Sequence, residues 1–327
     1  MFMHAINQRP LSYMTSIEHD LTLAPHLNYV FDLSYLTGLQ LVGERSAEFL
    51  QGQLTCDVRD VTTEKMGQGA LCNLKGRILA LMDVIHWDNQ GFHLIIPNDL
   101  RLETEATLSK TASFSKVSLH HARQYTPVGL YLQNPGDLLP KGFVQPNTPF
   151  GVITQTDYCC YHVGDRYYVL LVNNDHLDVL CHPFINRSQY RGSLTWHALQ
   201  LQAHQISIYP ETRGAFLPHR LGLQTTHYLS FNKGCYKGQE IIARTHYRAT
   251  LKHELKIAHI TTAERLWSGQ SIYSPHDQQD IGELIDYCPI SESQYVIAAS
   301  LHRDAVPELR FEGHVQTVLC NPIEVTH

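Results

Sequence analysis

The stretch that decides the fold is Lys233-Gly234-Cys235-Tyr236-Lys237-Gly238-Gln239-Glu240, and Ile241-Ile242-Ala243-Arg244 follows it directly. Two glycines bracket the thiol and the phenol, which predicts a tight turn with an unusual backbone path. Regular structure is expected from Gln239 onward. If this structure is a helix, Glu240 lies in its first turn, where a carboxylate suits the helix dipole, and Arg244 lies one turn later as a partner.

Cys235 is the candidate reactive group of this stretch. It lies just before the expected helix N-terminus, and Lys233 and Lys237 are each two residues away. Both features lower the pKa of a thiol and increase the fraction of thiolate. The alternative is a buried structural cysteine, because cysteine is among the most frequently buried residue types. The local pattern leaves both interpretations open.

Composition narrows the class of protein. The chain has 327 residues, of which 43% are hydrophobic and 17% charged, as expected for a globular protein of two or three domains. The net charge is −6 and no long run of Lys or Arg occurs, so strong nonspecific nucleic-acid binding is not indicated. The N-terminal residues lack the apolar core of a signal peptide, and no apolar run approaches the length of a membrane span.

The eight cysteines indicate a reducing compartment. None of them forms a C-x-x-C pair and no H-E-x-x-H occurs, so no metal site is predicted. Unpaired thiols and the lack of an export signal favour the cytoplasm. We therefore expect a cytoplasmic protein that does not enter the membrane.

Hydrophobic patterning predicts a frayed polar tail, two α+β domains and a small β-barrel, at residues 1–20, 21–125, 126–248 and 249–327, respectively. The second α+β domain carries the central stretch and is expected to be partly interleaved with the first. Residues 95–99 resemble residues 171–175, and each set follows a strand-like run. This similarity suggests two related hairpin–strand–helix units with antiparallel sheets, although one short match is weak support for a duplication.

Two other features each allow two interpretations. Trp196 is one of three tryptophans, and it is either a stacking platform for a flat heterocycle or a core aromatic residue. Lys75-Gly76-Arg77 marks a hairpin turn. The cations of this turn either contact a carboxylate or phosphate or are simply solvated.

The string K-G-C-Y-x-G-Q-E followed by I-I-A-R resembles the signature of the YgfZ family, folate-binding proteins related to the glycine-cleavage T-protein, an aminomethyltransferase. Residues 43–58 resemble the family's early block G…F-L-Q-G-Q-x-T-x-D-V, and residues 74–78 resemble its hairpin turn. Residues 114–117 and 281–284 match further family segments in the same order. The resemblance therefore extends over most of the chain.

The resemblance implies a fold and a ligand. The family has three domains around a central opening, two of them interleaved α+β domains and the third a T-protein-type barrel. Tetrahydrofolate, or a one-carbon derivative such as 5-formyltetrahydrofolate, binds in the central region. Cys235, Lys233 and Tyr236 match the family's motif cysteine, lysine and tyrosine, and Trp196 matches a tryptophan that lines the folate site.

Two positions depart from the family pattern. A second tryptophan of the folate site is replaced by Leu36, with Tyr35 adjacent, and an acidic residue that follows the Trp196 position is replaced by Gln202. The second replacement removes a charge and a proton acceptor, which argues against ordinary aminomethyl transfer. The candidate catalytic residues are Cys235, Lys233 and Tyr236, and the candidate folate-binding residues are Trp196, Tyr35, Leu36, Gln202, Glu240 and Arg244.

The resemblance favours an accessory role. A folate-binding protein of this kind supports iron–sulfur client proteins, such as tRNA methylthiotransferases, and thereby tRNA modification. Because a cluster commonly needs about four ligands, Cys235 alone cannot hold one. Any cluster would be shared with a partner or with small thiols.

Two alternatives come from other classes of function. One is a folate-dependent aminomethyltransferase or demethylase. The other is a module that binds tRNA or a tRNA-modifying enzyme through cations, for which a solvated basic face is the competing interpretation. These cations are Lys233, Lys237, Arg244, Arg248 and Lys252. We expect the protein to be a monomer.

Overall fold

The structure, a computed structural model, describes residues 1–87 and 90–323. Its strands are β1 Phe2–Ile6, β2 Arg9–Tyr13, β3 Tyr29–Asp32, β4 Leu36–Val42, β5 Gly67–Cys72, β6 Ile78–Trp87, β7 Gly91–Pro97, β8 Ser118–His121, β9 Tyr125–Tyr131, β10 Val152–Thr154, β11 Tyr158–Gly164, β12 Tyr167–Asn173, β13 Tyr190–Arg191, β14 His253–Thr261, β15 Ser271–Tyr273, β16 Asp280–Pro289, β17 Gln294–His302, β18 Glu308–Phe311, β19 Val318–Leu319 and β20 Asn321–Pro322. Its α-helices are α1 Ile17–Leu21, α2 Ser46–Gln53, α3 Arg101–Ala112, α4 Leu177–Asn186, α5 Ser193–Gln202 and α6 Gln239–Arg248. Short 3-10 turns cover Val58–Asp60, Asn98–Leu100, Ser113–Ser115, Asn174–His176, Pro210–Thr212, Pro218–Leu221 and Leu223–Thr225.

A five-stranded antiparallel sheet has the strand order β5-β6-β7-β4-β8. Its hairpin β5–β6 turns at Lys75-Gly76-Arg77, as the sequence predicts, and the backbone N–H of Gly76 donates to the carbonyl of Asn73 at 2.9 Å. The strands β6 and β7 are almost continuously buried because both faces of the sheet are covered.

A six-stranded sheet has the order β10-β11-β12-β9-β3-β13 and is antiparallel except for the short parallel pair β3–β13. The strand β3 belongs to this sheet, although β4, which follows it after three residues, belongs to the other. The two α+β domains are therefore interleaved, as the family resemblance implies. The domain boundaries themselves stay predictions.

The C-terminal strands form a seven-stranded antiparallel sheet in the order β19-β18-β15-β16-β17-β14-β20. Only Cys320 separates the two edge strands β19 and β20 in the chain, so the sheet nearly closes on itself. The prediction of a small C-terminal barrel is confirmed. Residues 324–327 of the predicted domain lie outside the described residues.

The prediction of a frayed tail over residues 1–20 is wrong. The strands β1 and β2 form an antiparallel hairpin, and Ile6 and Leu11 are fully buried. Arg9 is buried too, because its guanidinium is paired with Asp99 at 2.8 Å and donates to the carbonyl of Ile208 at 2.7 Å. A polar segment thus becomes part of the core because its charge is matched by distant residues.

The helix α5 lies at the centre of the molecule. Most of its residues are buried, including Trp196 and His197, and it contacts β2, β3, β16 and β17. A helix buried around most of its circumference belongs inside a domain and not on its surface. It therefore joins the N-terminal hairpin, the six-stranded sheet and the barrel. In the part of the chain that the structure describes, no helix is long and apolar enough to cross a membrane.

Candidate functional site

Gly238 defines the turn that precedes α6. Its φ of +84° lies in the left-handed region, and a Cβ at this position would meet the carbonyl oxygen of Asn73 at 2.4 Å. Only glycine fits there without strain. Gly234, by contrast, has no atom within 4 Å of such a Cβ. The predicted tight turn is therefore made by the second glycine alone, and the predicted helix from Gln239 onward is confirmed.

The turn before α6 packs on the β5–β6 hairpin turn. A Cβ on Gly76 would meet the side chain of Ile242 at 3.1 Å and the carbonyl of Gly238 at 3.2 Å. Two segments that are separate in the sequence, Lys75-Gly76-Arg77 and the central stretch, are thus in direct contact. The close approach requires glycine on both sides.

Lys233 is buried and its ammonium is fully used in hydrogen bonds. Its Nζ donates to the carbonyls of Gln51, Leu54 and Cys56 at 2.8, 2.7 and 2.6 Å, respectively. These acceptors belong to the end of α2 and the residues after it, where helix carbonyls lack partners within the helix. Burial lowers the pKa of Lys233 to about 8. An ammonium has three donors, so none is left for a ligand.

Cys235 is exposed, whereas the other seven cysteines are buried, and all eight are free thiols. The interpretation of Cys235 as a buried structural cysteine is therefore wrong. Its neighbour Tyr236 is buried, with the Nζ of Lys233 5.0 Å from the centre of its ring. Burial raises the pKa of the Tyr236 phenol well above its usual range. The turn thus presents the thiol outward while its flanking side chains anchor it to the protein.

The hairpin turn and the segment from Lys237 to the end of α6 are rich in cations. We call Lys75, Arg77, Lys237, Arg244 and Arg248 the basic face; all are exposed except Lys237, which is half-buried. None of them takes part in an ion pair among the residues that the structure describes. Lys233 is not part of this face because its ammonium is buried.

The predicted pair between Glu240 and Arg244 is wrong. Both side chains are exposed on α6, with Glu240 in the first turn as predicted, but no ion pair joins them among the described residues. An exposed pair of this kind contributes only about 0.3–0.5 kcal/mol, so its formation is not strongly favoured. Lys252 is exposed beyond the end of α6.

A cavity of about 110 Å³ brings together three of the predicted folate-site residues, Trp196, Tyr35 and Leu36. Trp196 is buried between Phe31 and Tyr167, whose ring centres are 5.3 and 5.5 Å from its own. The indole is therefore both a core residue and part of a cavity wall, so the two interpretations of Trp196 are compatible.

Gln202 does not line this cavity. It lies in a neighbouring depression with Leu199, Tyr167 and His259. Among the described residues, the cavity wall also lacks every residue of 233–238 and both Glu240 and Arg244. The candidate residues therefore divide into a cavity group around Trp196 and a surface group around Cys235.

A short segment connects the two groups. Tyr228 lines the cavity, and its carbonyl accepts a hydrogen bond from the Thr55 hydroxyl at 2.6 Å. The backbone N–H of Ser230 donates to the carbonyl of Thr55 at 3.0 Å. Lys233 donates to the carbonyls of Gln51, Leu54 and Cys56. Hydrogen bonds therefore hold the segment 228–233 against residues 51–56.

The cavity contains polar groups that the sequence analysis missed. Asp83 on β6 lines it, and its carboxylate accepts hydrogen bonds from the Gln68 amide and the Tyr161 hydroxyl, both at 3.2 Å. Burial raises the pKa of Asp83 to about 6. The available signal was a single carboxylate inside the apolar run of β6. Buried charges are uncommon unless they are paired or used.

His197 is a second polar residue of the cavity wall that was missed. Its Nε2 lies 3.1 Å from Oδ1 of Asp286, a fully buried carboxylate of the barrel. Asp286 also accepts hydrogen bonds from the Tyr209 hydroxyl at 2.7 Å and the Ser207 backbone N–H at 2.8 Å. This network holds α5 on the barrel and fixes the histidine ring beside Trp196. Among the described residues, no group of three or more His, Cys, Asp or Glu side chains is placed to hold a metal ion.

The chain was compared with protein-family models and with known proteins. No protein-family model matches the chain. It is similar to the tRNA-modifying protein YgfZ of Colwellia psychrerythraea, with 26% identity over 300 residues that cover 90% of this chain and 91% of that protein. It is also similar to the tRNA-modifying protein YgfZ of Hamiltonella defensa, with 30% identity over 221 residues that cover 66% of each chain.

A solved structure shares the fold. The glycine cleavage system aminomethyltransferase T from Bartonella henselae superposes with a TM-score of 0.77 over 99% of this chain and 93% of that one, at 14% sequence identity. This likeness confirms the predicted T-protein-like arrangement. With the K-G-C-Y-x-G-Q-E turn, the interleaved sheets and these similarities, the chain shares the fold of the aminomethyltransferase and belongs to the YgfZ family.

Proposed function

We propose that the protein binds a reduced folate in the cavity beside Trp196 and supports tRNA modification through partner proteins. The observation that carries the proposal is the cavity itself, which combines Trp196, Tyr35 and Leu36 with the polar groups of Asp83 and His197. Apolar walls with a few convergent polar groups are typical of small-molecule sites. The names of the relatives from Colwellia and Hamiltonella supply the link to tRNA modification.

The residues fit part of a folate. Ligand pockets are typically about 300–1,000 Å³, whereas this cavity is about 110 Å³. It therefore takes the flat ring system, and the remainder of the molecule lies outside. A reduced folate bound here would supply a carrier for one-carbon units. Trp196, Leu36 and Tyr35 would exclude water from its ring, while Asp83 and His197 would bind its polar edge.

Cys235 has a different role in this proposal. It is exposed on the turn before α6 and does not line the cavity among the described residues. We assign it to contact with an iron–sulfur client protein, such as a tRNA methylthiotransferase, where its thiol contributes one ligand or one nucleophile. The eight free cysteines support a cytoplasmic location.

Calorimetric titration with tetrahydrofolate and 5-formyltetrahydrofolate tests the folate site. Leu36→Arg places a charged side chain in the cavity wall and is expected to abolish binding. Leu102→Arg, at an exposed position of α3, is the matched control and should bind like the wild type. Wild-type protein that produces no binding heat with either compound would refute the folate site.

A deletion strain tests the role of Cys235. Cys235→Ser should fail to restore the activity of iron–sulfur tRNA-modifying enzymes, although the variant folds and binds folate like the wild type. Full restoration would show that the thiol is not needed. Cell fractionation checks the cytoplasmic location, and recovery of the protein outside the cytoplasm would contradict it.

The basic face supports a second candidate function, direct contact with tRNA. The hairpin turn and the start of α6 are in contact at Gly76 and Gly238, so the two cation-bearing segments lie next to each other. Phosphate contacts make affinity depend on salt. Filter binding of tRNA at about 50 and 200 mM salt should show a large loss of affinity, and R244E/R248E should remove it. Affinity that does not change with salt would identify the basic face as merely solvated.

A further inference from the structure

The carboxylate of Asp83 is the most unusual polar group of the cavity. Asp83 is half-buried, whereas its neighbours Met82 and Val84 along β6 are buried, so its exposed part faces the cavity that it lines. Apolar side chains make up much of the surrounding wall, including Leu36, Leu81, Ile95, Leu100 and Val169. A carboxylate in such a place is costly unless it binds something.

The hydrogen bonds of Asp83 leave room for a ligand. The Gln68 amide donates to Oδ1 and the Tyr161 hydroxyl donates to Oδ2, so each oxygen has one partner. An ionised carboxylate offers about four acceptor positions in all. Gln68 and Tyr161 come from different sheets and are both buried, so they hold the carboxylate plane in one orientation. The acceptor positions that remain on the two oxygens of Asp83 can accept two parallel N–H donors.

We infer that Asp83 binds the amidine edge of a 2-amino-4-oxopyrimidine ring, with one oxygen accepting from the 2-amino group and the other from the adjacent ring N–H. This inference rests on the proposed folate site, because the pyrimidine ring of a reduced folate carries this edge. Two parallel N–H···O bonds to a carboxylate are short and directional, as in arginine–carboxylate pairs. Asp83 is therefore a specificity-determining residue of the cavity.

With Asp83 as the carboxylate that binds the ring, the cavity does not need an acidic residue at position 202. Gln202 lies in the neighbouring depression and not in the wall of this cavity. The negative charge for the ring comes from β6 of the five-stranded sheet and not from α5. Substitution of Gln202 is therefore expected to leave ring recognition unchanged.

Calorimetry with a matched pair of ligands tests the inference on the wild-type protein. The pair is tetrahydrofolate and 2-deaminotetrahydrofolate, in which hydrogen replaces the 2-amino group. Loss of one hydrogen bond to a charged group should weaken binding about 10–100-fold, so the wild type should prefer tetrahydrofolate by about tenfold or more. Equal affinity for the two compounds would overturn the role of Asp83.

Variants extend the test. Asp83→Asn should lose about tenfold or more in affinity for tetrahydrofolate and lose the preference over the deamino compound, because the amide presents a donor to the ligand's donors. Asp175→Asn, at an exposed carboxylate outside the cavity wall, is the matched control that should keep both the affinity and the preference. An Asp83→Asn variant that keeps the preference would overturn the inference.

The outcomes separate this inference from the proposed function. A wild-type protein that binds both compounds equally retains the folate site but refutes recognition by Asp83. A wild-type protein that binds neither compound refutes both. If Asp83→Asn does not fold, as judged by circular dichroism, the comparison of the two ligands on the wild type still decides the question.

Discussion

Replacement of Lys233 by methionine tests whether this residue holds the central turn in place. Methionine keeps the length of the side chain but removes the ammonium that binds the carbonyls of Gln51, Leu54 and Cys56. Removal of the ammonium leaves these three carbonyls without their donor, and a buried acceptor left without a partner costs about 1–3 kcal/mol. Burial disfavours the charged ammonium and lowers its pKa to about 8. This desolvation offsets part of the stabilisation that the three hydrogen bonds provide. We therefore expect the free energy of unfolding to fall by about 3 kcal/mol, or about 1 kcal/mol for each of the three carbonyls.

Urea unfolding at pH 7, followed by tryptophan fluorescence and by circular dichroism, measures the change. Lys237→Met is the matched control, because Lys237 is bound to the carbonyl of Gly52 through its backbone N–H, which the substitution preserves. The control should change stability by less than about 0.5 kcal/mol. If Lys233→Met unfolds at the same urea concentration as the wild type, the three hydrogen bonds contribute nothing, and the argument for a structural ammonium fails.

Three further predictions concern the turn, the thiol and a buried histidine. Gly238→Ala should lower stability by roughly 1–3 kcal/mol, because its Cβ meets the Asn73 carbonyl at a positive φ; Gly234→Ala should melt like the wild type, and equal melting of both variants would contradict the assignment of the turn. Iodoacetamide should modify one cysteine in the native protein, as counted by mass spectrometry, and none in Cys235→Ser; a second thiol modified at the same rate would be inconsistent with burial of the others. Burial lowers the pKa of His93 to about 4. On acidification the unfolded chain therefore binds this proton at a higher pH than the native protein does. The stability that is present above pH 6.5 is lost as the pH falls toward 4, by up to about 3 kcal/mol. His93→Phe should lose correspondingly less stability between pH 7 and 5 in urea unfolding, and an unchanged pH dependence would show that His93 is not responsible.

Local signals in the sequence predicted local structure well. The helix from Gln239, the hairpin turn at Gly76 and the C-terminal strands all follow from turn residues and periodicity within a few positions of each element. The similar residues 95–99 and 171–175 also correspond to the same order of strand, 3-10 turn and helix in the two sheets. Each of these features is marked in the sequence by residues within or next to the element itself.

The features that the sequence did not reveal depend on distant residues. Lys233 was interpreted as a cation beside Cys235, but its acceptors are contributed by residues 51–56. Residues 1–20 were predicted to be a frayed tail because they are polar, and Asp99, the partner of Arg9, is 90 positions away. Asp83 was missed because a carboxylate in a strand shows no sign of the cavity beside it until two sheets are packed together. Such pairings are set by tertiary structure, which periodicity does not encode.

The most direct measurement of the central claim uses Trp196 as the only tryptophan. The variant W87F/W267F leaves Trp196 as the sole reporter in the cavity wall. We predict that tetrahydrofolate quenches its fluorescence at the concentrations where calorimetry records binding, and that adding Leu36→Arg removes both signals. Binding heat without any change in Trp196 fluorescence, or no binding at all, would contradict a reduced-folate site beside Trp196.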